Sequence, residues 1–354
     1  MMMYAVLSNP NHPKYGVATI PFPIPRDQYT YCMDLLEALE VGDTVKADCK
    51  VVEFDSVYTV LKHMKALTVN VEELNYLVKR LESFDTGEAA QFQAMAHKLE
   101  LFELKDLINL TFCCQQATVI TDFSDLAAVG RDHYMNLHGG SAKTEELDAL
   151  DGKEIARQLI ESGSGTITPY GVVYDNGMKL EQVYDGRFFP CYYYEPNVIT
   201  VAVTSKAEPE DTEHITWLFL PMVQEEIDRA LLRGGITDPA NVRLRLEDSQ
   251  LPNEVDVLLD MEYETLSDLN ELAEATDGLP KADMEKLGAV VMLAKPKSAA
   301  QIKNLAESLD LFDLAPGAHT PEDYGKYMIQ QSGHFDYDKI STLFMTMKST
   351  ARSA

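Results

Sequence analysis

Residues 72–85 read EELNYLVKRLESFD and residues 267–280 read SDLNELAEATDGLP. Each has an acid, then Leu-Asn, then an apolar residue three places past the Leu, and a turn at its end. The second stands 195 positions after the first, and that offset works elsewhere in the chain. DLINL (106–110) meets QIKNL (301–305), and FSDLAAVGRDHYM (123–135) meets AHTPEDYGKYMIQ (318–330), with Gly130 on Gly325 and Arg131 on Lys326. IPRDQYTYCMDLL (24–36) meets LPMVQEEIDRALL (220–232) at an offset of 196, and the opening YAVLS (4–8) is echoed by VAVTS (201–205). Matches on nearly one diagonal imply two copies of a unit of roughly 140 residues, the size of a domain and too long for a solenoid period. The expected organisation is a first unit over 1–140, strand-rich over 1–69 and helical over 70–140. A connecting segment (141–196), a second unit (197–335) and a tail (336–354) follow.

Within the first copy, YAVLS, YGVATIPFPI and TVKADCKVVEF carry the apolar alternation of strands, and YTYCMDLLEAL reads as a short amphipathic helix between them. Val71, Leu74, Leu77, Val78 and Leu81 share one helical face. Further helices are expected around AAQFQAMAHKLE, near ELKDLINLTFC and in SDLAAVGRDHYMNL, the last with Ser124 as N-cap. In the second copy, Thr320 followed by Pro321 is the matching start signal. The connecting segment opens on a helix that Thr144 could cap. DNG and YDG then mark tight turns, so Tyr-rich and Val-rich strands are expected to form a hairpin or small sheet. Its aromatic cluster, Phe188, Phe189, Tyr192, Tyr193 and Tyr194, is expected to pack between neighbouring parts rather than to form a recognition surface. The pattern predicts an α+β fold.

The formal net charge is −27, distributed as −8 over residues 1–140, −5 over 141–196 and −14 over 197–354. Acidity spread this way opposes direct binding to nucleic-acid phosphates and leaves a basic partner open. Cys32, Cys49, Cys113, Cys114 and Cys191 are odd in number and form no CxxC. They suit free thiols of a reducing cytoplasm better than disulfides or zinc. No stretch approaches the roughly 18 apolar residues of a membrane span, and no signal peptide is evident at the start. GxSxG, GxxxxGK[ST] and a post-strand GxGxxG are all absent, and His133 and His138 are five apart, unlike HExxH. Neither catalysis, nor a cofactor, nor a metal is expected.

The acids have an order of their own. Asp260, Glu264, Asp268, Glu271 and Glu274 are spaced 4, 4, 3 and 3, and Asp277 continues the series. On one continuous helix they would line one face, roughly 5 to 6 Å apart. Mutual repulsion means such a row adds nothing to helix stability, and its spacing is comparable to that of phosphates along a strand, one per ~3.4 Å of axis. The bland alternative is a helix capped by Ser267, with Asp268 and Glu271 favouring its N-terminal dipole.

The order of LNYLVKRLESFD, ELKDLINL and SDLAAVGRDHYM resembles the ArdA antirestriction proteins, small acidic proteins of conjugative plasmids and transposons. The resemblance covers about 1–138 directly and 197–335 through the repeat. It implies an elongated string of small mixed α/β subdomains, with two ArdA-like repeats in one chain. It also implies a cytoplasmic DNA mimic that occupies the DNA-binding groove of a type I restriction-modification enzyme, with Asp260, Glu264, Asp268, Glu271, Glu274 and Asp277 as mimicking acids. The family's antirestriction motif falls on Asp125, Leu126, Gly130 and Arg131, and is partly repeated as Asp323, Tyr324, Gly325 and Lys326. In the family that region serves subunit pairing, so the resemblance implies a pseudo-two-fold monomer or a homodimer. The alternative is an acidic adaptor for another basic DNA-processing protein of a mobile element.

Overall fold

Strand β1 (Met3–Ser8) alternates as a half-covered strand should, with Ala5 and Leu7 fully buried and Tyr4 exposed. In the computed structural model, which describes residues 2–315, 317–318 and 320–330, this strand lies inside a four-stranded antiparallel sheet. The sheet order is β2 (Ala18–Phe22), β1, β3 (Cys49–Asp55) and β4 (Thr68–Val69), with α1 (Tyr29–Ala38) between the second and third strands in sequence. Four helices follow: α2 (Val71–Glu82), α3 (Thr86–Lys98), α4 (Leu104–Leu110) and α5 (Leu126–Leu137), with β5 (Thr118–Ile120) ahead of α5. Val71, Leu74, Leu77, Val78 and Leu81 are all buried, as their spacing predicts, in a core shared with β1, β2 and α4.

Residues 141–196 are built into this body. Helices α6 (Thr144–Ala149) and α7 (Gly152–Glu161) lead into the hairpin β6 (Thr166–Thr168) and β7 (Gly171–Tyr174), and β7 pairs with both β6 and β5. The Tyr-rich stretch is not one of the strands: none lies between Tyr174 and Ile199. Its rings pack instead. Phe189 stacks on Tyr76 of α2 at 4.5 Å and on Tyr184, which is fully buried in the core. Thr144 opens α6 but caps nothing, the N-cap position falling on Lys143 without a side-chain hydrogen bond.

A second run of elements then follows in the order of the first. Strands β8 (Ile199–Ser205) and β9 (Thr216–Leu220), helix α8 (Gln224–Arg233) and strand β10 (Val242–Ser249) form a sheet of order β10-β8-β9, the order β3-β1-β2 over again. After the short α9 (Asn253–Asp256) come α10 (Leu266–Thr276), α11 (Lys281–Ala294), α12 (Ala299–Ala306) and α13 (Pro321–Gln330), succeeding one another as α2 to α5 do. Helices α1 and α8, ten residues each, align at an offset of 195 rather than 196. One detail recurs as well. The side-chain oxygen of Asn75 in α2 accepts the Ile24 N–H at 2.9 Å, and that of Asn270 in α10 accepts the Met222 N–H at 2.8 Å. Both Asn are buried, 6% exposed; of the groups they satisfy, the Ile24 N–H is itself buried and the Met222 N–H partly so.

By contacts the chain divides into two units, Met1–Gln250 with Met261–Glu274, and Leu251–Asp260 with the residues from Ala275 on. The second unit centres on α11, whose Leu287, Val290 and Val291 are buried, together with Val255, Ile302 and Leu309 of its neighbours α9, α12 and the 3-10 turn Leu309–Leu311. Residues 331–335 and the expected tail 336–354 lie outside the described residues.

Candidate functional site

The expected row of acids is interrupted where α10 begins. Thr265, not Ser267, is its cap: the Thr265 hydroxyl accepts the Asp268 N–H at 3.1 Å and donates to the Asp268 carboxylate at 2.7 Å. Asp260 and Glu264 therefore precede the helix, and Glu264 is buried, 8% exposed, so it is no part of an outward array. Along α10 itself Glu271 and Glu274 are exposed and Asp268 is half-buried; Asp260 and Asp277 are exposed outside the helix. An acid spacing of 4, 4, 3 and 3 reads as one face only if the backbone is helical throughout.

A few cations are drawn inward. Arg229 of α8 pairs with Glu72 of α2 at 2.6 Å, and Lys79 of α2 lies 3.8 Å from Glu226 of α8. Lys98 of α3 bonds Asp175 at 2.6 Å. Arg233 is the deepest, with a side chain only 5% exposed. It donates to the carbonyls of Thr44, Gly186 and Arg187, to the Asn70 side chain and to the Tyr184 hydroxyl, and lies 4.3 Å over the Phe189 ring. Saturation of this kind makes a buried guanidinium tolerable. The sequence carried a signal for this junction: Glu226, Arg229 and Arg233 lie on one face of α8 at helical spacing, opposite in sign to Glu72 and Lys79 on α2.

The motif segment makes local contacts. Asp125, rather than Ser124, caps α5 by accepting the Ala128 N–H at 3.0 Å, while Ser124 bonds Asp122. Leu126 packs on the small cluster of Ile120, Val129, Ala156, Leu159 and Tyr174. Gly130 lies so near α7 that a Cβ there would stand 1.9 Å from the Gly152 carbonyl oxygen. Arg131 is exposed. In α13 the capping role of Asp125 falls to Thr320, which accepts the Asp323 N–H at 3.1 Å. Asp323 therefore stands a turn further on than the motif expects and pairs with Lys326 at 3.5 Å. Tyr324 is exposed, and among the described residues nothing lies within 4 Å of a Cβ at Gly325.

Beside the α2–α8 junction a cavity of about 180 Å³ opens, walled by α1, α2, the aromatic segment and the β9–α8 turn. Phe188, Phe189, Tyr192 and Tyr194 line it, as does Trp217. Burial pushes the Glu226 carboxyl up from its ordinary range, with Lys79 opposing the shift. Burial likewise holds the Tyr29 hydroxyl protonated throughout. Four of the five thiols are buried and all five are free. Among the described residues no three or more His, Cys, Asp or Glu side chains gather as a metal site, and no helix is long and apolar enough to cross a membrane. No protein-family model, no curated protein and no solved structure matches this chain.

Proposed function

We propose that this protein is an acidic DNA mimic that occupies the DNA-binding groove of type I restriction-modification enzymes, built by tandem duplication of an ArdA-like unit. The supporting observation is the excess of acids, several of them exposed on helices. Lys79, Arg229 and Arg233 are drawn inward, where they meet Glu226, Glu72 and Glu73. Asp34 and Glu37 of α1 and Glu271 and Glu274 of α10 remain exposed. The three inward pairs cancel, so the net charge of −27 is carried by the remaining groups, among which acids outnumber bases 54 to 27. Such a surface takes the place of phosphates in a groove of Lys and Arg, releasing the groove's anions, and its affinity falls steeply with salt.

The test is restriction of unmodified phage DNA in cells expressing the protein, with competition against duplex DNA for a purified type I enzyme at two salt concentrations. Protection in cells, together with competition that weakens at high salt, is expected. Neutralising Asp34, Glu37, Glu271 and Glu274 together should weaken inhibition far more than any one of them, because single exposed pairs are worth only ~0.2–1 kcal/mol. Undiminished restriction, or tight binding of the protein itself to duplex DNA, would remove the basis for this reading.

A further inference from the structure

Helix α3 and the 3-10 turn Cys114–Gln116 after α4 meet the segment around β7 through polar residues. Lys98 bonds Asp175 at 2.6 Å, the His97 ring meets Tyr170 edge-on, and the Gln116 carbonyl accepts the Asn176 side chain at 2.8 Å. The positions 195 further on are Met292 and Leu293 of α11 and Leu311 of the 3-10 turn that packs on it. All three are apolar, and they are 64%, 77% and 78% exposed. Of two matching surfaces, the one left to water should be the more polar. Here it is the more apolar. Single exposed apolar residues need no explanation, but three at matched positions on packed elements form a patch of the kind that marks a contact.

The chain that follows α13 has the composition to fill that contact. ISTLFMTM (340–347) is strongly apolar, and residues 339–354 hold three bases, Lys339, Lys348 and Arg352, and no acid. The patch has the opposite charge beside it, since Asp310 and Asp313 flank Leu311 and are exposed. We infer that residues 340–347 dock on this face of α11 and its neighbouring turn, with apolar side chains against Met292, Leu293 and Leu311 and the flanking cations toward Asp310 and Asp313. The first half of the chain offers the precedent. Residues 170–176, which meet α3, likewise come from the chain that follows α5, the helix matched to α13. Reach is sufficient, because the residues between Gln330 and Ile340 span up to about 30 Å when extended. A second copy would bring a like net charge of −27 to the same face, whereas residues 339–354 bring cations. The inference stands independently of the restriction-enzyme reading.

Trypsin cuts after Lys339 and Lys348, so brief digestion of the full-length protein, followed by intact mass, reads how often the segment is released. Cleavage at both sites should be slow compared with a free peptide of residues 336–354. Leu293→Glu and Phe344→Glu should each speed it about tenfold or more, the effect of withdrawing one large apolar side chain from a contact. The double variant should add little, because either change releases the same segment. Asp310→Asn combined with Asp313→Asn should speed cleavage less, and only at low salt. Leu293 is so exposed that Leu293→Glu spares the core, and far-UV circular dichroism checks that each variant is folded. Cleavage as fast as in the free peptide, or rates indifferent to Leu293→Glu, would overturn the inference. So would sedimentation showing a dimer that Leu293→Glu dissociates with tryptic rates unchanged, which would assign the face to a second copy.

Discussion

Helix α2 is capped by Asn70 and tied to the Ile24 N–H by Asn75; α10 is capped by Thr265 and tied to the Met222 N–H by Asn270, each 195 positions on. The outer faces differ. Where α2 presents Glu72 and Lys79 to α8, α10 carries Ser267 and Glu274; where α8 presents Glu226, Arg229 and Arg233, α1 carries Tyr31, Asp34 and Ala38. The complementary set of charges is written once, at the junction within the chain. The corresponding positions of α1 and α10 hold one acid each, Asp34 and Glu274, and no cation. A repeat's own fold constrains what its helices bury, and leaves the outward positions free to become either a joint or a solvent face. Helices α5 and α13 teach the same lesson, with Gly130 pressed against α7 and Gly325 open.

The comparison is most exposed at Arg233. Arg233→Ala should lower stability by roughly 3–5 kcal/mol, because Tyr184, Asn70 and three carbonyls lose a buried charged donor. Glu274→Gln on the solvent face should stay within about 0.5 kcal/mol; denaturant unfolding of both variants measures the contrast, and similar losses would erase it. Gly130→Ala comes next. Its methyl group would meet Gly152 backbone, which has no flexible end to give way, so α5 and α7 must part at a cost of about 2–3 kcal/mol. Gly325→Ala should be neutral or stabilising by up to ~1 kcal/mol, the helix propensity difference. Thermal melts of the pair decide it.

Asn75→Ala should cost about 1–3 kcal/mol by orphaning the buried Ile24 N–H, and Asn270→Ala less, because the Met222 N–H is only part-buried. Chemical denaturation of the two variants measures the difference, and an equal or larger loss at Asn270 would overturn it.

The smallest effect concerns Lys98, half-buried in α3, whose counterpart in α11 is the exposed Leu293. The hydrogen bond from Lys98 holds the Asp175 carboxyl below its ordinary range. A depressed folded pKa stabilises above the unfolded value of about 3.9 and loses that contribution as pH falls through the folded value. Asp175→Asn should therefore cost at most ~1 kcal/mol near neutral pH, the pair being partly exposed, and nothing in strong acid. A difference independent of pH would assign the effect to packing instead.

The apolar face of α2, the Thr320-Pro321 start of α13 and the order of elements in both copies were legible in the sequence, because each depends on spacing within a few residues or on a repeated pattern. The caps were misplaced by one or two residues, Ser124 for Asp125 and Ser267 for Thr265. A cap is set by where helical dihedrals begin, and neighbouring Ser, Thr and Asp all offer the same oxygen. Glu264 was misjudged for a related reason: an acid spacing defines a surface only after the helix containing it is known. The aromatic segment looked like strands because Tyr and Phe favour sheets, yet burial against α2 and under Arg233 satisfies those rings better than a ladder would.

By itself, then, the sequence determined which residues are apolar at which period, where turns and breaks fall, how large the acidic excess is and that the pattern is stated twice. Those are properties of neighbours along the chain. Tertiary structure decided which carboxylates meet cations and which face water, which of two equivalent glycines is crowded, and that an aromatic-lined cavity forms beside Arg229 inside an acidic protein. Each depends on residues distant in sequence being brought together, from the 22 positions between Gly130 and Gly152 to the 189 between Arg233 and Thr44, and no local propensity encodes such a distance.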